Sequence, residues 1–312
     1  MSRYIKKRLF QLIPIILGVS FITFSLMYIA PGNPAEMKLS AQGISVSNEI
    51  IEQTKIEMGL DKPFLWQYFT WLTNLIKGDM GTSYVDNMPV SKKLLIAMPS
   101  TIILAFSSMG LTLLIAIPLG VLCAIKQNKC IDYIIRLFTF VGTSIPNFFL
   151  ALVLIYFFAM KLKWLPVLAS GSFKGLILPT LSLSTVMISK YIRQVRAAVL
   201  EELGKDYVLG AKTRGINEKV IIYSNVVRNS MITIVTLVGL SFGSLLGGAA
   251  VVETIFVWRG LGKLVVDAIG ARDYPVIQGF VVWMAIIYVT INLLTDLSYS
   301  RLDPRVNYEG EI

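Results

Sequence analysis

The chain has 312 residues, 55% of them hydrophobic and only 15% charged, with a net charge of +10. Soluble domains carry about 25% charged residues, so this composition excludes a soluble protein of the same size and predicts one polytopic membrane domain. Histidine is absent, which removes imidazole acid–base catalysis, Ser-His-Asp triads and His metal ligation.

The first predicted span runs from about Leu9 to Ala30. Arg3, Lys6, Lys7 and Arg8 precede it, which places the N-terminus on the cytoplasmic side. Its apolar run is longer than the core of a signal peptide and no A-x-A site follows, so a retained helix is expected. Pro31-Gly32-Asn33-Pro34 ends it.

Residues 31–97 mix acids, bases and aromatics and read as a small extracytoplasmic subdomain. Ser47 is placed to cap a short helix through Met58, stopped by Gly59. Trp66, Tyr68, Phe69 and Trp71 form an aromatic stretch of the kind that favours a membrane interface.

Residues 98–298 carry five more spans. They lie at about Pro99–Ile125, Leu137–Met160, Leu176–Ile192, Ser230–Val252 and Val276–Thr295, each near the ~20 residues a crossing needs. Ser144-Ile145-Pro146-Asn147 puts polar groups and a breaker near one end of the third. The fourth is interrupted by Pro179, rich in Ser and Thr, and carries Lys190. Such spans face other helices or a water-filled path. Six spans put both termini on one side, with residues 299–312 as a cytoplasmic tail. The inner loops then collect most of the Lys and Arg, although Lys161, Lys163 and Lys174 run against the rule. That bias accounts for the basic charge. No nucleic-acid motif accompanies it, so membrane lipid is the expected surroundings and nucleic acid is not a partner.

The loop at 197–228 is too polar for lipid. Asp206-Tyr207-Val208-x-x-Ala211-x-x-x-Gly215 reads as a short helix, a glycine turn and a returning helix. Lys212 and Arg214 suit an acidic partner surface. Intramembrane charge and polarity nominate Ser144, Asn147, Lys190, Glu253 and Asp296 as a candidate translocation path. Gly239, Gly243 and Gly247 align on one helical face and read as a packing stripe. Gly239-x-Ser241-x-Gly243 also fits a hydrolase elbow, but it lies mid-span in a chain without His. Cys123 and Cys130 fit neither a disulfide framework nor a zinc site. No catalytic residues, no metal ligands and no resident cofactor are expected.

The loop resembles the coupling loop of binding-protein-dependent ABC importer permeases. More narrowly, the chain resembles the first permease subunit of the dipeptide/oligopeptide/nickel family. The supporting pieces include Tyr4-Ile5-x-Lys7-Arg8-Leu9, Ala30-Pro31-Gly32-Asn33-Pro34, Gly78-Asp79-x-Gly81-x-Ser83, Ser144-Ile145-Pro146-Asn147-Phe148, Trp258-x-Gly260-Leu261-Gly262, Arg272-Asp273-Tyr274-Pro275 and Leu302-Asp303-Pro304-Arg305. Thr233 and Arg259 depart from it, standing where the family often has Pro.

The resemblance implies an all-α type I permease fold with six transmembrane helices and an extracytoplasmic insertion after the first. It also implies a homologous second permease subunit, two ABC ATPase subunits that hold ATP and Mg, and an extracytoplasmic substrate-binding protein, all at the cytoplasmic (inner) membrane of a prokaryote. In that picture Asp206, Tyr207, Val208, Ala211, Lys212, Arg214 and Gly215 face the ATPase. No G-x-x-x-x-G-K-[ST] occurs, so ATP hydrolysis is expected on partner chains. The cargo expected is a dipeptide or oligopeptide, with a nickel chelate as the alternative. An ATP-independent secondary transporter is the reading from another class. It needs ionisable groups deep in the spans, and these spans are nearly free of them.

Overall fold

The computed structural model describes residues 2–41, 47–168 and 172–302. Among them all regular structure is helical, apart from one isolated antiparallel bridge between Thr82 and Pro89. In an apolar layer only internally bonded backbone is tolerated, which favours helices. In order these are α1 (Ser2–Ile29), α2 (Pro34–Ala41), α3 (Asn48–Glu57), α4 (Phe64–Ile76), α5 (Val90–Ile125), α6 (Cys130–Ser144) and α7 (Asn147–Leu154). There follow α8 (Phe173–Leu203), α9 (Asp206–Thr213), α10 (Glu218–Val220), α11 (Val227–Ile255), α12 (Leu261–Gly270) and α13 (Tyr274–Leu302). π-Helical turns at Ile155–Lys161 and Ile221–Val226 extend α7 and join α10 to α11.

Among the described residues, five stretches are long and apolar enough to cross a membrane: Phe10–Ile29, Val90–Ile125, Phe173–Leu203, Glu218–Gly243 and Tyr274–Leu297. A sixth crossing arises if Cys130–Ser144 and Asn147–Lys161, bent by 99° at their junction, count as one broken span. This corrects the expectation of a third span at about Leu137–Met160 with its breaker near one end. Pro146 sits in the middle of the apolar segment, and a proline with a restricted neighbour before it stops one helix and starts another. The fourth helix also outruns its expectation. Lys190, Arg193 and Arg196 end the apolar run, but α8 continues to Leu203.

The chain divides into two compact units. One holds the stretch up to Thr101 together with Arg259–Thr290; the other holds Ile102–Trp258 and the stretch from Ile291 onward. The sequence reading instead draws its boundary after residue 97 and keeps the segment carrying α12 within the 98–298 core.

In the first unit, α3 begins as expected. The Ser47 side chain accepts the Ile50 N–H at 3.4 Å, and the helix ends at Met58 before Gly59 at φ +68°. α4 lays its aromatic face on α1. Phe64 and Tyr68 meet Phe21 and Phe24 edge-on with ring centroids 5.3–5.7 Å apart, and Tyr68 reaches Ser20 at 3.1 Å. Edge-to-face pairs of this kind add about 0.5–1.5 kcal/mol each beyond area burial. A core of Val90, Leu94, Ala97, Leu261, Ala268 and Val276 joins α5, α12 and α13.

In the second unit, α5, α7, α8 and α11 share a core that includes Leu104, Leu178, Tyr191, Val252 and Phe256. The Tyr191 hydroxyl donates to the Leu237 carbonyl at 2.8 Å, tying α8 to α11. α6 is tied to α8 by charge. Arg196 grips the fully buried Asp132 with two parallel bonds of 2.9 Å, and the Asn128 N–H supplies a third at 3.0 Å. Paired, bidentate charges of this kind satisfy one another where water is scarce.

Removing one partner of such a pair strands the other charge, at a cost of about 3–5 kcal/mol. Asp132→Ala is therefore expected to lower the thermal unfolding midpoint of the detergent-purified chain sharply. Asp132→Leu combined with Arg196→Met is expected to recover most of the loss, because an apolar pair of similar volume leaves nothing unpaired. An unchanged midpoint for Asp132→Ala would remove this pair as the tie between α6 and α8.

Candidate functional site

The polar loop after α8 is the best-formed candidate. α8 ends at Leu203 with Gly204 as its cap, and Lys205 is extended so that the chain can restart as α9. Asp206 lies in the first turn of α9, where the positive end of the helix dipole favours an acid. Val208 and Ala211 point inward and are 2% and 3% exposed. They pack with Val195 and Val199 of α8 and with Ile221, Ile222 and Val226 on the returning π turn. Tyr207 is half-buried, and its hydroxyl donates to Glu202 at 3.0 Å. The Glu202 carboxylate also pairs with Lys205 and raises that ammonium above its ordinary pKa. Gly215 turns the chain at φ +74°, a conformation that costs other residues strain. The Asn217 side chain then accepts the Lys219 N–H at 2.9 Å and restarts the helix.

Seven residues expected to face a partner thus divide into two groups. Val208 and Ala211 are spent on the chain's own core and set the position of the loop. Asp206, Lys212, Arg214 and Gly215 are exposed, with Tyr207 between the groups. The exposed face has apolar members the sequence reading did not single out: Leu209 (65% exposed), Val220 (49%) and Tyr223 (63%). Period-3.6 reading of α9 would have found Leu209, since it falls opposite Val208 and Ala211. Three cations (Lys212, Arg214, Lys219) among exposed aliphatic and aromatic side chains form a surface suited to a partner that brings acids and an apolar groove.

The candidate path residues are more scattered. Ser144 ends α6 and its hydroxyl donates to Phe140 of its own helix at 2.9 Å. Asn147 opens α7. Its backbone carbonyl accepts the Ser182 hydroxyl of α8 at 3.3 Å, while its side-chain Oδ1 is buried without a partner, as is the Thr180 Oγ1. Polar groups therefore collect where the broken third segment meets the Pro179 region of α8. Lys190 is exposed partway along α8. Glu253 is fully buried near the end of α11. Asp296 is half-buried in α13. In the glycine stripe of α11, a Cβ on Gly239 would collide with the Thr295 side chain of α13, which is the close helix approach that small residues permit. Gly243 is half-buried one turn on, and Gly247 continues the row in the same helix.

One network was missed altogether. Asp273, nearly fully buried, accepts the Ser83 hydroxyl and the Tyr84 N–H, the latter at 3.0 Å. Lys93 bonds Ser83 at 3.0 Å and Asp86 at 2.9 Å. Together they clamp the tight loop 81–90 onto the start of α13. Burial, and after it the Asp273 carboxylate, push the Tyr84 phenol up. Burial alone would raise Asp86 as well, but bonds from Lys93, Met88 and Ser83 outweigh it and hold the carboxyl below its ordinary value. Ser83 and Asp273 each sit in a motif noted above, but a pairing 190 residues apart leaves no local signal.

The arrangement defines a class: a multi-pass helical membrane protein with an irregular, polar segment at a broken span and an exposed cationic loop on a buried anchor. The sequence profile described as "Binding-protein-dependent transport system inner membrane component" matches residues 116–308, and the corresponding N-terminal profile matches residues 1–105. The chain belongs to this family and is a permease subunit of an ABC importer, so it works with an ATPase and a substrate-binding protein.

Its relatives include the dipeptide transport system permease protein DppB of Alkalihalophilus pseudofirmus, 36% identical with 99% of this chain and 100% of the relative covered. The glutathione transport system permease protein GsiC of Pectobacterium atrosepticum is also 36% identical, with the same coverage. The fold is similar to an inward-facing MetNI methionine ABC transporter chain, at TM-score 0.56 and 17% identity, covering 67% of this chain and 96% of that one.

Asp86 supplies a pH prediction. Its folded pKa lies below the unfolded value, so its stabilising contribution is complete above the ordinary aspartate pKa of about 4. That contribution is lost as pH falls through the lower folded value. Hydrogen exchange in loop 81–90 is expected to stay slow from neutral pH down to about pH 4 and to rise below it, once intrinsic rates are corrected. Asp86→Asn should show the fast behaviour already at neutral pH. A loop whose corrected protection is the same at both pH extremes would contradict the clamp.

Proposed function

We propose that this chain is the first of two permease subunits of an ATP-driven importer that carries dipeptides or oligopeptides across the cytoplasmic membrane. The observation that supports the cargo is the full-length similarity to permeases named for dipeptide and glutathione, both small peptides. In this reading both termini and the α8–α11 loop are cytoplasmic, and residues 31–97 face the substrate-binding protein. A homologous second permease pairs with this one. Two ABC ATPase subunits bind ATP and Mg and carry out the hydrolysis; this chain does no chemistry of its own.

The exposed face of α9 and the turn after it docks on an ATPase. Lys212, Arg214 and Lys219 meet carboxylates, and Leu209, Val220 and Tyr223 fill an apolar groove. Val208 and Ala211 transmit the motion. They are wedged between α8 and the π turn at 221–226 that leads into α11, so displacement of α9 by the closing ATPases moves both helices together. Alternating access then follows as rocking of helix groups around a central polar path. Asn147, Thr180 and Ser182 at the broken span are the groups in that path able to bond peptide amides, with Ser144, Lys190, Glu253 and Asp296 at its margins.

Co-purification from mild detergent, combined with peptide uptake in cells, tests the proposal. The wild-type chain is expected to bring a second permease and ATPase chains. Lys212→Glu with Arg214→Glu sets like charges against each other, at a cost of a few kcal/mol, or about a hundred-fold in affinity. The ATPase chains and uptake should be lost while the permease remains in the membrane. Ala211→Arg, which forces a charge into the α9 anchor, should do the same. Unchanged uptake in both variants would overturn the docking assignment. A transport-active homo-oligomer lacking an ATPase would overturn the whole reading.

A further inference from the structure

Lys161, Lys163 and Lys174 stand on the outer side of the membrane in the topology proposed above, where the positive-inside bias disfavours cations. The chain offers them nothing of opposite sign. No Asp or Glu occurs between Asp132 and Glu201. All three lysines are exposed, and among the described residues none of them pairs with a carboxylate. Glu253, near the end of α11, is fully buried and presents no acid at the surface.

The segment that carries them is held at the membrane surface from both ends. It joins Asn147–Lys161, the second half of the broken span, to Phe173–Leu203, another stretch able to cross. The Trp164 and Leu165 N–H groups donate back to the Phe158 carbonyl at 3.0 and 3.3 Å, folding the chain against the end of the span it has just left. Leu165 then shares a core with Phe158 and with Leu176 of α8. What remains outward is apolar as well as cationic, since Leu162, Trp164 and Phe173 are all exposed. The Lys161 ammonium lies 5.8 and 6.0 Å from the ring centroids of Tyr156 and Phe157. Such a mixture keeps rings and aliphatic stems in the apolar layer and charged tips at headgroup depth.

The anions at that depth are lipid phosphates. A zwitterionic headgroup cancels its own phosphate, whereas an acidic headgroup leaves a net charge to be met. We propose that Lys161, Lys163 and Lys174 form a binding surface for acidic phospholipid headgroups, with Leu162, Trp164 and Phe173 entering the acyl region beneath. A soluble acidic protein matches the charge but not the apolar side chains set among the lysines. The bound lipid fixes the outer end of the broken span. The choice of leaflet rests on the topology proposed above; the preference for acidic lipid does not.

The test uses the full chain with its accompanying subunits in phosphatidylcholine nanodiscs. These carry a trace of photoactivatable lipid, either phosphatidylglycerol or phosphatidylcholine, with a diazirine on the acyl chain next to the ester. Labelled peptides are mapped by mass spectrometry. At residues 156–174 phosphatidylglycerol is expected to label about five-fold more than phosphatidylcholine, the worth of one lysine at an acidic surface. The two lipids should label the middle of α5 equally. Salt at about 1 M, which cuts the screening length to about 3 Å, should remove most of the preference. Lys161→Gln with Lys163→Gln and Lys174→Gln should remove it at low salt, and these exposed positions leave the cores intact.

Equal labelling of residues 156–174 by the two lipids, or a preference that survives the three substitutions, would overturn the proposal. So would a zero-length carbodiimide cross-link from these lysines to the co-expressed substrate-binding protein that abolishes the lipid labelling, since the patch would then belong to a protein. ATP-driven uptake separates this inference from the function proposed above. Uptake without a lipid preference sinks only the lipid surface, and a lipid preference without ATP-driven uptake sinks only the importer reading.

Discussion

Every backbone donor and acceptor inside an apolar layer has to be satisfied by the protein itself, and the rest of this molecule follows from how it meets that demand. Long helices meet it almost everywhere. Where the ladder is interrupted, a partner stands nearby. Pro146 breaks the third segment, and Ser182 of α8 donates to the Asn147 carbonyl beside the break. The sharp bend at Pro146 also lies where the buried, unpartnered Asn147 Oδ1 and Thr180 Oγ1 are found. A permease needs a polar surface part-way across the membrane, and a broken helix supplies one without placing a charge there.

Charges are handled by pairing rather than by avoidance. Asp132 and Asp273 are both buried carboxylates, and each holds down an element distant in sequence. Asp132 takes the Arg196 guanidinium, so α8 can extend past its apolar run without leaving a bare cation. Asp273 takes a hydroxyl and a backbone N–H, so the tight 81–90 loop needs no sheet to support it. Neither group stands free to carry a proton or an ion, which suits a transporter whose driving force comes from elsewhere.

Much of this was legible from local pattern. Ser47, Gly59, Pro31 and the motif from Asp206 to Gly215 mark their turns and caps because each acts on backbone within four residues. Hydropathy found the spans because solvent preference is additive along a helix. It failed at Pro146, since two breaking residues hardly lower an average taken over twenty. It failed again at Arg196, whose charge looks like a helix end until Asp132, 64 residues earlier, is seen beside it. The division of α9 into an inward Val208–Ala211 face and an outward Leu209 face was readable by period. Its consequence, that Ala211 serves the anchor rather than the partner, was not, because the core it enters is built from α8 and from the turn at 221–226.

On the proposed docking, that anchor bears on how an ATPase can act through so short a helix. α9 has eight residues, and an isolated helix of that length has little stability of its own. A push delivered to a free helix would be absorbed by unfolding it. Val208 and Ala211 bind α9 into a core shared with Val195, Val199, Ile222 and Val226, and packed interiors are nearly incompressible. The cost of melting α9 is therefore the cost of opening that core. On the proposed docking, force applied at Lys212 and Arg214 passes through this core toward α8 and α11. α8 carries it to Tyr191, which bonds α11, and to Ser182, which bonds the broken span. With α9 docked as proposed, the route from the exposed cationic loop to the polar break runs through packed side chains and two hydrogen bonds, of 2.8 and 3.3 Å, so a displacement at one end is passed toward the other.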